Sequence, residues 1–475
     1  MQFATGSAPT SRAVQTTVLG VGFLALYAVF ARETLHPPDA ARWIQQAHAH
    51  DLNEHHHFLY NRIACAAAAG AATFGISAFA ALRALSVIGG ALAVAFAHRA
   101  FLRFGLAAPR AAVAALLVGT CPALVYYATT VEIHAPHLAS AALAFWSLAA
   151  AVDSRAGKVS FLLGAARTGL VTGLSATIHS TGHLLVFVVV LPLLRRRDRP
   201  LAIAALLGAH ALVSSLVAML FDEGVVAAQA GYLSTFLCDP PSVAAVAHSL
   251  WGEWLAALAP IAWVGVLACV RGPAAVEARW LHLAFVPYFV TTVALLRGVV
   301  LDHGSYLLPL AVPLGWLSAR LVPPRLASAL AALGLLIAWL SLPPTEGLAR
   351  LRGFCDEVVQ LDRATPVRIL GLAAEVDAVA CWATAIPASN LLVMHEMRGH
   401  PRDFLPTLTA AFDQHVNATL AAGRVPLLTA AGSKWLRSAP GDLLWRLHTE
   451  HVEVRYRLER VDHGALEGWL MRPRH

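Results

Sequence analysis

The stretch that decides the reading is Ala31–His57, ARETLHPPDAARWIQQAHAHDLNEHHH, which follows an apolar run at 13–30 and precedes a chain that is apolar almost throughout. It carries Asp39, Asp51, Glu54 and six histidines. Ionisable groups are costly beside lipid and are kept there mainly where they bind or react. Carboxylates and imidazoles at the mouth of a first apolar span therefore mark a site, provided that the remainder of the chain is embedded in a bilayer.

The composition supplies that condition. The 475 residues are 58% hydrophobic and only 13% charged, with mean hydropathy +0.62, which excludes an ordinary soluble protein. Working outward from the quoted stretch, about eleven apolar segments follow one another: 13–30, 84–102, 111–127, 135–152, a short pair at 164–178 and 184–194, 201–221, 255–270, 281–300, 306–317 and 326–342. The expected fold class is a polytopic α-helical membrane protein of about eleven transmembrane helices. The alanine-rich composition is that of a GC-rich bacterial genome, so the membrane is read as a bacterial plasma membrane.

Basic residues set the orientation. With Arg12 inside, alternate connections carry Arg99, Arg103 and Arg110; Arg155, Lys158 and Arg167; Arg195, Arg196, Arg197 and Arg199; Arg271 and Arg279; and Arg320 and Arg325. The intervening connections are poor in Lys and Arg, so the positive-inside rule puts the N-terminus in the cytoplasm. The His-rich loop and everything after residue 342 then lie outside. These arginines account for much of the formal charge of +7, and anionic headgroups are their partner; no nucleic acid is implied. The first span is read as an uncleaved anchor, because cleaving it as a signal peptide would break the alternation. Cys65, Cys121 and Cys269 fall in or near apolar segments as small core residues, whereas Cys355 and Cys381 lie where a disulfide is permitted.

After Pro343-Pro344 the charge becomes ordinary, which divides the chain into a membrane domain, 1–342, and an extracytoplasmic domain, 343–475. The second is expected to be a small α/β domain. Strands are expected at 367–372 and 391–394, a helix at 405–422, and an alternating strand at 451–461.

Several groups carry candidate chemistry. Asp39 follows His36-Pro37-Pro38, whose prolines fix the backbone as it leaves the membrane; a carboxylate held there suits a general base, and it also suits the N-cap of a short helix over AARWIQQA. Asp51, Glu54 and His55-His56-His57 are metal-ligating types, but consecutive residues point apart, so at most two of the three imidazoles would share a ligand set. The sequence admits a divalent metal without requiring one; a solvated interfacial segment with one or two substrate contacts is the favoured reading, and contact of His55 or His57 with a phosphate is its functional version. Glu132 and His134 sit at the outer end of the third span. His179 and His183, in ATIHSTGH, share a face if their turn is helical, and turn capping with interhelical hydrogen bonding is the equal alternative. Arg83 and Arg297 lie in the leaflet where arginine is disfavoured, and with Asp302 and His303 they suit a lipid phosphate, which a guanidinium can pair bidentately.

Four segments resemble the GT-C superfamily of integral membrane glycosyltransferases, in particular the branch related to protein O-mannosyltransferases. They are PPDAARWIQQAHAHDLNEHHHFLY with an interfacial helix near 61–75, CPALVYYATTVEIHAPHLASAALAFW, GLVTGLSATIHSTGHLLVFVVVLPLLRRR and DHGSYLLPLAVPLGWL. The resemblance covers roughly 10–325 and rests on the order and sidedness of these motifs. Asp39 lacks the paired acidic neighbour of several families unless Asp51 serves. The resemblance implies transfer of a sugar from a polyprenyl-phosphate donor to an acceptor, with inversion. Asp39 would act as base, Glu132 and His134 would position the acceptor or the base, and Arg83, Arg297, His303 and the other histidines would hold the phosphate. Two other classes compete. A transporter or flippase would bury its ionisable groups at the bilayer midplane and show repeated halves, whereas here they gather at one face and no repeat is found. A non-catalytic scaffold would tolerate neutralisation of Asp39 and Glu132.

Overall fold

The computed structural model describes residues 9–31, 39–50, 52, 57–152, 157–194, 198–221, 242–270, 275–296, 303–342, 348–383, 385–391, 404–438 and 443–474. Its contacts separate two compact units, one made of 1–32 and 50–342, the other of 33–49 and 343–475. The larger part of the second unit is 343–475. The helix beginning at Asp39, however, groups with the C-terminal residues.

The first unit is helical. It comprises α1 Pro9–Phe30, α3 Phe58–Ala72, α4 Ala78–Arg103, α5 Ala108–Gly119, α6 Pro122–Thr129, α7 His134–Ala151, α8 Lys158–Ile178, α9 Leu185–Leu193, α10 Arg199–Phe221, α11 Val243–His248, α12 Ile261–Val270, α13 Ala275–Leu296, α14 Ala311–Leu321 and α15 Pro324–Ser341. Each of the eleven apolar segments is largely helical as far as it is described, with breaks inside 111–127 and 255–270. Among the described residues, five helices are long and apolar enough to cross a bilayer, or up to seven if each of two bent pairs is one span.

The bends have visible causes. The segment expected as one span at 111–127 is α5 and α6, inclined by 63° about Thr120-Cys121, with Pro122 opening the new helix. The segment at 255–270 belongs to a second bent pair, Val246–Ala256 with Ile261–Val270, turning through 110° at a break that contains Pro260. A helix start leaves backbone N–H groups unpaired. Here the two breaks supply each other, because the Ala123 N–H donates to the Ala257 carbonyl at 2.8 Å.

Close packing rests on small residues. In Gly169-Leu-Val-Thr-Gly173 on α8, a methyl at Gly169 would lie 2.1 Å from the Leu206 carbonyl oxygen of α10, and one at Gly173 would lie 2.7 Å from that of His210. This spacing lets two helix backbones approach where lipid provides no hydrophobic drive for association. Polar ties cross the same interfaces: Ser140 Oγ donates to Ser175 Oγ (2.8 Å) between α7 and α8, and Arg167 Nε donates to Ser147 Oγ (2.9 Å). Tyr27 of α1 donates to the Gly119 carbonyl at the end of α5 (2.7 Å).

The second unit contains α2 Asp39–Ala49, α16 Leu348–Ala364, β1 Val367–Gly371, α17 Ala373–Trp382, β2 Ala388–Asn390, α18 Phe404–Ala421, β3 Val425–Thr429, α19 Ala430–Leu436, the short helical turns α20 Leu443–Arg446 and α21 Glu453–Arg455, β4 Tyr456–His463 and β5 Leu466–Pro473. The sheet order is β2-β1-β3-β5-β4, parallel through the first three strands and antiparallel in the last two pairings. The α/β expectation holds, with shifts. The second strand is Ala388–Asn390, ahead of the expected run, whose residues 392–394 lie outside the described ones. The alternating segment becomes strand only at Tyr456, because 447–455 is helical. On α2, Ala40, Trp43, Ile44 and Ala47 recur at helical spacing and are buried, with α17 as the packing partner. Cys355 is a buried free thiol, so the disulfide permitted there is not formed. Glu375 Oε2 accepts from Thr429 Oγ1 (2.5 Å) and the Leu372 N–H (3.2 Å), while burial raises its carboxyl above the ordinary range.

Candidate active site

At one end of the helical unit the chain gathers four imidazoles, a carboxylate and three phenols. Helix α6 closes there, and two hydroxyls pair with carbonyls of its last turn: Thr129 Oγ1 donates to Val125 O (2.7 Å) and Thr130 Oγ1 to Tyr126 O (2.9 Å). The chain then runs extended into Glu132, whose backbone is held on both sides by one residue of α4. Ser86 Oγ donates to the Glu132 carbonyl (2.9 Å) and accepts its N–H (3.1 Å). Glu132 is only 3% exposed, and its Oε1 lies 3.7 Å from Nε2 of His134, the first residue of α7. The carboxylate also bears electrostatically on the phenol of Tyr60 at the start of α3.

His179 is the hub of the imidazoles. Its ring centroid lies 4.5 Å from His57, 4.9 Å from His134 and 4.9 Å from His137, and 5.7 Å from Tyr306. It terminates α8 in an extended conformation and caps the following turn: the Thr181 N–H donates to Nδ1 (3.2 Å), and Thr181 Oγ1 lies 2.8 Å from the same nitrogen. A nitrogen that accepts an amide N–H carries the lone pair, so the neutral ring keeps its proton on Nε2. His134 is flanked by Tyr127 at 4.7 Å and Tyr306 at 6.0 Å.

Beside this cluster lies the turn that precedes α14. His303 and Gly304 both have positive φ, +45° and +78°. The Gly304 N–H donates to Glu253 Oε2 (2.5 Å), a carboxylate 1% exposed, and the His303 ring stacks on Tyr126 at 4.3 Å. A glycine is required at 304 for a second reason, since a Cβ there would meet Ala257 at 2.7 Å.

Of the residues expected from sequence, Glu132, His134, His179 and His57 are thus brought together, with His303 at the neighbouring turn. His183 diverges from His179. The extended backbone at 179 breaks the helical spacing, and His183 Nδ1 instead meets Nε2 of His210 on α10 (2.9 Å), while the Nδ1 of His210 meets Thr172 Oγ1 (3.0 Å). Arg83 lies over the Phe79 ring at 5.3 Å on its own helix. Asp39 opens α2 in the other unit, and its side chain, together with Asp51, Glu54, His55, Arg297 and Asp302, lies outside the described residues. Among the described residues no group of three or more His, Cys, Asp or Glu side chains is arranged to hold a metal ion.

Tyr60, Ser86, His137, Glu253 and Tyr306 are additions to the expected set. His137 had a signal, standing one helical turn after His134, and so did Glu253, an acid inside the apolar run SLWGEWLA. Chemically the cluster offers imidazoles, which in the neutral form carry one donor and one acceptor each, beside a shielded carboxylate. Such a set can bind an oxyanion and orient a hydroxyl.

No protein-family model matches the chain, and no curated protein matches it in sequence. Solved structures do. ArnT from Cupriavidus metallidurans bound to undecaprenyl phosphate superposes with a TM-score of 0.60 over 98% of this chain and 98% of that one, at 13% identity. The fold is GT-C. The apo state of the same ArnT matches with a TM-score of 0.50 at 13% identity, again over 98% of each chain. The Archaeoglobus fulgidus oligosaccharyltransferase, in complex with Zn and sulfate, gives 0.49 at 10% identity over 96% of this chain and 72% of that one. The GT-C likeness spans both units, the C-terminal α/β residues included.

Proposed function

We propose that this chain is a membrane glycosyltransferase that takes a sugar from a polyprenyl-phosphate donor and passes it, with inversion, to an acceptor on the extracytoplasmic face. The observation that carries the reading is the cluster of Glu132, His57, His134, His137 and His179 at one end of a helical unit whose fold is GT-C. The match to an ArnT bound to undecaprenyl phosphate supports a polyprenyl carrier.

In the proposed mechanism Asp39 removes the acceptor's proton as its oxygen attacks the anomeric carbon through an oxocarbenium-like transition state. The departing phosphate is already a good leaving group and needs donors rather than an acid. Arg83, Arg297, His303 and the cluster histidines are the candidates for that role. Glu132 and His134 orient the acceptor hydroxyl or the base, and Ser86 fixes the Glu132 backbone.

The test is turnover by purified protein in nanodiscs supplied with a panel of radiolabelled polyprenyl-phosphate sugars. Transfer, or slow hydrolysis of one donor, is expected. Failure to bind any donor would return weight to a flippase or a scaffold.

A further inference from the structure

The C-terminal unit carries a charged groove that the proposed reaction does not use. A cavity of about 420 Å³ opens at one end of the β4–β5 hairpin, with an apolar floor from Leu420, Val425 and Pro473 and a rim of Arg457, Arg472, Arg474 and Glu459. Three guanidinium groups against one carboxylate leave the rim with an excess of two positive charges.

The strand register brings two of these like charges side by side. Arg457 and Arg472 are direct cross-strand partners, and like charges placed opposite one another destabilise a sheet. Glu459 offsets part of this, accepting from Arg472 Nε at 2.9 Å and lying 3.7 Å from Arg457 Nε. Arg474 Nε donates to the Tyr456 carbonyl (3.2 Å), which holds its guanidinium at the end of the hairpin. The far end of the same hairpin is balanced differently: Arg460 pairs with both Asp462 and Glu467.

We infer that this groove binds a phosphate-bearing group of about two negative charges whose uncharged portion rests on the apolar floor. Guanidinium groups suit the ligand class, since each presents two parallel donors to a phosphate. The same chemistry is offered by a free phosphorylated molecule and by an anionic lipid headgroup.

The experiment uses the full chain in zwitterionic nanodiscs, titrated calorimetrically with inorganic pyrophosphate, and flotation of the same protein with vesicles containing phosphatidic acid. Wild type is compared with Arg457→Gln/Arg474→Gln, which leaves the Arg472–Glu459 pair in place, and with Arg460→Gln as a control on the same strand. The expected result is binding in at least one arm, weakened about tenfold or more by the double substitution and unchanged by Arg460→Gln. Pyrophosphate binding identifies a free phosphorylated ligand, and binding to vesicles alone identifies a lipid headgroup. Absence of binding in both arms, or equal losses in the double variant and the control, overturns the assignment. Thermal unfolding of each variant separates loss of binding from loss of fold.

Discussion

Replacement of Ser86 by alanine tests the construction of the Glu132 site with little change in volume. Ser86 is fully buried, and its hydroxyl satisfies both the N–H and the carbonyl of Glu132, at 3.1 and 2.9 Å. Removing the hydroxyl strands two backbone groups, each at a cost of about 1–3 kcal/mol when water cannot reach it. Partial relaxation lowers the total, so local opening of 130–134 should become easier by about 2–4 kcal/mol. At 1.4 kcal/mol per tenfold, the Glu132 amide should lose about 30-fold or more of its protection from hydrogen exchange. The assay is exchange measured by mass spectrometry on peptides covering 125–135 in nanodiscs, with peptides of β1 and β3 as internal references. If protection in 130–134 stays at the wild-type level while the protein remains folded, Ser86 does not hold Glu132.

Two other predictions follow from packing and from pH. Gly169→Val drives a branched side chain into the Leu206 carbonyl and should abolish recovery of folded protein, whereas Gly208→Ala, with nothing within 4 Å of its Cβ position, should express and melt as wild type; size-exclusion profiles and melting temperatures check the pair. Glu375 has a folded carboxyl pKa raised by burial above its ordinary value of 4.5. A raised pKa means that the folded state holds the proton more tightly, so this group's stabilisation is full below about pH 4.5 and is lost as pH rises through the folded value. Glu375→Gln should flatten that loss in thermal unfolding of the C-terminal unit, and an unchanged pH profile would show that the buried carboxyl is not its source.

Apolar runs reveal helices because burying unpaired backbone in lipid is prohibitive, and each of the eleven runs is largely helical where described. Hydropathy does not register backbone direction, so the 63° and 110° bends were hidden inside continuous apolar segments. Their signals, Pro122 and Pro260, were in plain view. In the cluster, Glu132 and His134 were legible because a carboxylate and an imidazole are rare so close to lipid. His183 separates from His179 because the chain is extended at 179, and it takes up the interhelical hydrogen bond that is the other reading of that turn. Glu253 went unread for a different reason: its role depends on Gly304, 51 residues away, a pairing that no local pattern encodes. The grouping of α2 with the C-terminal residues was also invisible, although the stripe Ala40, Trp43, Ile44, Ala47 announced a buried face.

The most direct test of the central claim is the single-turnover rate of sugar transfer from a polyprenyl-phosphate donor, wild type against Asp39→Asn, in nanodiscs at saturating donor. A general base contributes about 10²–10⁴-fold, so the account predicts a fall of that size with donor affinity nearly unchanged. Transfer by Asp39→Asn at the wild-type rate would contradict it.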